Sequence, residues 1–169
     1  FLMLLTVNGY AQTKNDAITA YNEGVQLLSS NPAGALAALE KCIEVCTTLG
    51  EEGDDTKALA EIQIPKLHYS LARESMQAKN YVDAIEKFNK AIETAEKYND
   101  EKVKSGSLKL VPQLHYILAN SYSKGNDFEN AHANYDKAIE YDPNYTKAIL
   151  GKGLVYREQE DTENMKATL

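Results

Sequence analysis

Small and bulky apolar residues alternate along this chain at helical spacing, and the same alternation recurs three times. Ala35, Leu39 and Cys42 in the first stretch correspond to Ala84, Phe88 and Ala91 in the second and to Ala131, Tyr135 and Ala138 in the third. A small residue, a bulky one four later and a small one three later fall on one stripe of a helix. The small positions let a neighbouring helix come close, and the bulky one fills the space beside them. The segment before each stripe carries its own apolar face: Leu67, Leu71 and Ala78 in one, Leu114, Leu118 and Tyr122 in the other. Polar turns, Ala78–Tyr81 (AKNY) and Lys124–Phe128 (KGNDF), separate the two segments. The pattern predicts helical hairpins, each with more apolar surface than it can bury alone, so successive hairpins must stack.

The duplication extends to individual residues. IPKLHYSLA, Ile64 to Ala72, returns as VPQLHYILA, Val111 to Ala119, an offset of 47. NYVDAIEKFNKAIE, Asn80 to Glu93, aligns at the same offset with DFENAHANYDKAIE, Asp127 to Glu140, and PAGALAALEKCIEV, Pro32 to Val45, is a weaker first copy. Leu118-Ala119-x-x-Tyr122 followed by Ala131, Tyr135, Ala138 and Pro143 resembles the signature of the tetratricopeptide repeat family, in order and spacing. Leu67 to Glu93 matches nearly as well, with Ser75 where an aromatic is expected. Gly24, Ala35, Leu39 and Cys42 form a degenerate first repeat whose turn is one residue short, and Gly153 and Tyr156 open a fourth.

The resemblance implies an all-α, right-handed solenoid of about three and a half hairpins in one domain over 12–169, with units near 15–50, 55–99, 102–142 and a partial 145–169. Its periods depart from the family's roughly 34 residues: they are 49 and then 47, and only the last step returns to 34. The excess lies in TLGEEGDDTKALAEIQI and KYNDEKVKSGSLKLV. Helical spacing in DTKALAEIQI predicts that the excess lengthens the next helix at its N-terminus, with Pro65 and Pro112 each kinking or restarting it.

Composition agrees with helix: four prolines and nine glycines in 169 residues leave few breaks. A net charge of −7 without a Lys/Arg cluster argues against nucleic acid as a partner. Cys42 and Cys46 stand four apart on one predicted helix, where Cβ atoms lie about 5–6 Å apart, too far for the roughly 3.5–4.5 Å of a disulfide. They read as small buried apolar residues. His68 and His115 occupy equivalent places on helices separated by another helix, too distant to share one metal ion, and His132 adds no ligand spacing. The acidic run Glu51 to Asp55 (EEGDD) reads as a solvated loop without the alternating ligands of a calcium loop. No catalytic, cofactor or metal site is expected.

The tyrosines of the repeated His-Tyr pairs carry the binding expectation. At 100° per residue, Tyr69 lies roughly 160–200° around the wheel from Leu67 and Leu71, with Arg73 and Met76. The third unit places Tyr116, Asn120 and Ser123 on that face, and the first places Tyr21 there. In the family this face of the first helix lines a concave groove for peptides, and Tyr offers contact area at low entropic cost. Packing between repeats is the alternative role for these rings. The family's clamp for C-terminal carboxylates is not carried over, because Tyr69 and Tyr116 stand where Lys would be needed.

The expected function is therefore a non-catalytic module or scaffold that binds a peptide or protein segment. The alternatives are an oligomerisation element whose groove its own or a neighbouring chain fills, including self-association through the incomplete last repeat, or a regulatory domain of a longer protein. Phe1 to Val7 is too short to span a membrane. Followed by Gly9-Tyr10-Ala11, it resembles the end of a secretory signal peptide, which implies a bacterial periplasmic or secreted protein. Protein isolated from its native host is accordingly expected to begin at Gln12. N-terminal sequencing checks this, and an intact Phe1 on soluble material refutes it.

Overall fold

A computed structural model describes residues 13–169, so the apolar start and its cleavage site lie outside the described residues. Every regular element among the described residues is helical: α1 (Lys14–Leu27), α2 (Pro32–Leu49), α3 (Asp54–Glu61), α4 (Ile64–Gln77), α5 (Tyr81–Lys97), α6 (Glu101–Lys124), α7 (Phe128–Tyr141), α8 (Thr146–Glu158) and α9 (Thr162–Thr168), with a 3₁₀ turn at Gly50–Gly53. The expected all-α, hairpin-by-hairpin architecture is present. The chain forms two compact units, one ending at Ile64 and the other running from Pro65 to Leu169.

The starts of these helices are written in the sequence. Thr13 and Asp16 form a reciprocal capping box on α1, Thr13 Oγ1 accepting from the Asp16 N–H. Asn31, Asn80, Asp100, Asp127 and Asp161 each accept a backbone N–H of the helix that follows. Four of these caps sit directly after a residue in the left-handed region: Lys79, Asn99, Asn126 and Glu160, with φ of 58° to 60°. The cap residue's own N–H reaches back to the preceding helix, as in Asn80 to Ser75 O and Asp127 to Tyr122 O, 2.9 and 3.0 Å. One turn thus closes the outgoing helix with a Schellman bond and opens the next. The α1–α2 turn is one residue shorter and closes instead with Asn31 N–H on Leu27 O.

In the first unit α2 packs on α1 and α3. Ala35, Leu39 and Cys42 are fully buried, and Gly24 lets α1 approach so closely that a Cβ there would lie 2.6 Å from Leu39 Cγ. Cys42 and Cys46 are buried free thiols with sulfurs 3.9 Å apart, and burial pushes the Cys42 thiol up to about 12. The EEGDD segment is not an open loop. Its four carboxylates are exposed, but Gly53 packs on the Cys46 backbone and Asp54 and Asp55 form the first turn of α3. Acidic side chains are favoured there by the helix dipole.

In the second unit one cluster joins Ala72 of α4 to Ala84, Ile85 and Phe88 of α5 and Val111 and Leu114 of α6. A second joins Ala119 of α6 to Ala131, Tyr135 and Ala138 of α7 and Ala148 and Val155 of α8. Where an aromatic was expected, Ser75 is nearly buried within a polar triangle. It donates to Asp83 Oδ2 at 2.5 Å and accepts from Lys87 Nζ at 2.9 Å. Lys87 Nζ also donates to Asp83 Oδ2 at 2.6 Å, and that bond, ahead of the one from Ser75, holds the Asp83 carboxyl below its usual range.

The two prolines differ. The helix stops at Ile62–Gln63 and restarts at Ile64, one residue before Pro65. Pro112 instead lies inside the uninterrupted 24-residue α6, so of the kink or restart expected there, the restart does not occur. Two side-chain donors near it bond carbonyls on its N-terminal side: Ser107 Oγ to Val103 O and Gln113 Nε2 to Lys109 O, both 2.8 Å. Their counterparts 47 residues earlier are Ala60 and Lys66.

His115 fastens α6 to α7. The Asn134 amide nitrogen donates to Asn130 O, which aims its oxygen at His115 Nδ1, 3.0 Å away. The proton is therefore assigned to Nδ1. The ring also stacks on Tyr141, whose hydroxyl donates to Asn89 of α5. The repeated histidine is packing at this position. His132 stacks on Tyr156 at 4.0 Å and meets Gln159, tying α7 to α8 and its C-cap.

Two predictions come from this packing. A Cβ at buried Gly151 would lie 2.6 Å from the Tyr135 ring, itself held by a hydrogen bond to Asn120. Gly151→Ala is therefore expected to destabilise by about 1–3 kcal/mol, and an unchanged denaturation midpoint contradicts the assignment. Burial lowers the His115 pKa below its ordinary value, outweighing the Asn134 hydrogen bond. The native state thus binds fewer protons than the unfolded one. Its contribution is fully present above about pH 6.5 and is lost as pH falls through that value towards the folded pKa. Melting curves across that range should show a steeper acid-side loss for the parent than for His115→Gln, and identical pH profiles would refute it.

Candidate functional site

Tyr21 belongs to the first unit and is half-buried on α1, on the side that also exposes Ile18 and Val25. The other six candidates lie in the second unit, on α4 and α6.

Tyr69 does not stand opposite the packed face of α4. Its ring meets Phe88 edge-on at 5.5 Å and rests on the cluster of Ala91, Ala95 and Val103. Its far side runs along α6, where a Cβ at Gly106 would be 3.4 Å from the ring. Met76 packs against the α4–α5–α6 core, and Arg73 is exposed.

Tyr116 is held similarly. It tilts against Tyr135 at 6.2 Å and meets Tyr145 edge-on at 5.7 Å. Asn120, one turn on, accepts the Tyr135 hydroxyl at 2.9 Å. Burial, the larger effect, and the neighbouring Tyr116 push the Tyr135 phenol up to about 12, so it is a permanent donor. Ser123 is half-buried. The structure therefore brings Tyr116 and Asn120 together around Tyr135, and places Tyr69 and Met76 on the other cluster of this unit.

At the equivalent positions one repeat later the apolar side chains are open. At an offset of 34, Tyr116 and Asn120 correspond to Leu150 and Leu154 of α8. Both leucines are about half exposed, at 51% and 48%, one turn apart on one face. Ile117 is also exposed, at 38%. A helical wheel drawn through the tyrosines passes over these leucines. Continuing the 34-residue offset into the fourth unit would have found them.

A cleft of about 220 Å³ opens beside Tyr69, lined by Lys66, Tyr69, Asp100, Lys102 and Val103. Among the described residues no three His, Cys, Asp or Glu side chains converge as metal ligands, and no helix is long and apolar enough to cross a membrane.

No match is found among curated proteins. Among solved structures, a crystal structure of MamA is similar over 98% of this chain and 92% of its own, at 16% identity and a TM-score of 0.38. A family model of the tetratricopeptide repeat matches residues 112–145, which span the second half of α6, the turn and all of α7. The matched residues include Leu118, Ala119, Tyr122, Ala131, Tyr135, Ala138 and Pro143. Residues 112–145 of this chain thus carry a tetratricopeptide repeat.

Proposed function

We propose that this protein is a non-catalytic binding module, and that the groove face of its first-type helices receives an apolar segment of a protein partner. The observation that carries this reading is the pair Leu150 and Leu154, half exposed on one face of α8 at the positions equivalent to Tyr116 and Asn120. Scattered exposed apolar residues need no explanation, but a contiguous pair at ligand-facing repeat positions does. An amphipathic or extended peptide lays its anchors against such a stripe. Exposed Arg73, equivalent to Leu154, and half-buried Ser123, equivalent to Arg157, supply polar contacts on the earlier helices, and the tyrosines give the face its rigidity. Proteins built from this repeat bind protein partners and are generally non-catalytic, which supports the class of function. Its place of action is proposed to be the bacterial periplasm or exterior, from the signal-like start of the sequence. The acidic charge makes nucleic acid an unsuitable partner.

The test separates binding from folding. Leu150→Ser with Leu154→Ser is expected to leave the melting temperature unchanged. It should weaken capture of the partner recovered with the parent by about 2 kcal/mol or more, the loss typical of an interface anchor. Tyr69→Ala with Tyr116→Ala should instead lower stability, since both rings are packed between helices. Partner capture unchanged in the leucine variant refutes the reading.

A further inference from the structure

The lengthened repeat builds a feature beside Tyr69 that a 34-residue period leaves no chain to make. Three of the five residues around the cleft, Asp100, Lys102 and Val103, come from the stretch that raises the period to 47. Asp100 caps α6, its Oδ1 accepting the Val103 N–H at 3.0 Å, so the N-terminal turn of that helix is fixed. Val103 turns inward, only 8% exposed, and supplies an apolar wall with the Tyr69 ring. Lys66, on the first turn of α4, and Lys102 are exposed at the cleft. Among the described residues neither ammonium takes part in an ion pair. The nearby Lys104, by contrast, is held by Glu96 at 3.1 Å.

An apolar floor beneath two ammonium groups without ion-pair partners suits an anionic group carried on a short apolar stem. At about 220 Å³ the space falls below the roughly 300–1,000 Å³ of pockets for whole drug-sized molecules. It has room for one side chain. Asp100 leaves the lining with a single net positive charge, enough to favour one carboxylate and to disfavour a cation.

We propose that this cleft is a specificity pocket for a single acidic side chain, Glu or Asp, of the bound protein segment. This deepens the binding-module reading and rests on it. The pocket fixes the register of the segment by one charge while the leucine face supplies apolar contact.

The test uses the full chain and two short probes, acetyl-Gly-Phe-Glu-Gly-amide and the same peptide with Gln in place of Glu, followed by backbone amide chemical shifts. The Glu peptide is expected to produce saturable shifts at Tyr69, Val103 and Gly106. Its affinity should drop about fivefold or more on changing Glu to Gln, on the variant Lys66→Gln with Lys102→Gln, and on raising salt. Equal shifts with both peptides, shifts unaffected by the lysine changes, or none at these residues up to the solubility limit would overturn the proposal. Inorganic phosphate binding as well as the Glu peptide would also overturn it, by showing a general anion site. Partner capture lost in the leucine variant but unchanged in the lysine variant sinks the pocket and spares the binding module. Glu-selective shifts with no partner captured do the reverse.

Discussion

Close approach of helices through residues with little or no side chain is the constraint on which the rest of this structure depends. Ala35, Ala84 and Ala131, with Cys42, Ala91 and Ala138, are fully buried, and each set flanks one bulky residue, Leu39, Phe88 or Tyr135. Gly24 against Leu39 and Gly151 against Tyr135 carry the same relation into the facing helices. Packed interiors tolerate neither a missing nor an extra methylene well. The small residues therefore fix how the helices seat, and the bulky residue fixes where. Turns, caps and the placement of the tyrosines follow from that seating.

Much of this was legible in the sequence because it is local. The three stripes, the cap residues and the short first turn are patterns over a few neighbouring positions. The prolines show where locality ends. IQIPKLHY and KLVPQLHY look alike, yet one restarts a helix and the other lies within one. The copies differ nearby in Ser107 and Gln113, which bond the Val103 and Lys109 carbonyls where the earlier copy has Ala60 and Lys66, but neither reaches the Leu108 carbonyl that Pro112 leaves without its backbone donor. A proline costs a helix through a lost hydrogen bond and a clash, and the local motif, the same in both copies, does not decide whether the helix continues.

The candidate site was less legible, for a related reason. A helical wheel assumes that the face opposite the hairpin partner is open. In a chain with a 34-residue period that assumption would suit Tyr69. Here the additional residues become the first half of α6, and its Val103 and Gly106 come to lie against the ring. Tyr116 is covered differently, by Tyr135 of α7 and by Tyr145 at the start of α8. The period change was visible in the sequence, but where the extra helix would fall was a tertiary matter. Leu150 and Leu154, in the unit that returns to the shorter period, keep the face open.

The continuity of α6 also bears on how the second unit comes apart. At 24 residues and about 1.5 Å per residue it is a rod of about 36 Å, and both larger apolar clusters of that unit use it. Val111 and Leu114 serve one cluster, and Ala119 serves the other, one to two turns later. Melting either cluster frays the helix that the other rests on, so amide protons on both sides of Pro112 share one opening event. At Ile62–Gln63 the ladder is already interrupted, and there a local opening can stop without spreading along a helix. One repeated proline thus sits at a seam in the hydrogen-bond ladder, and the other sits inside a single cooperative element.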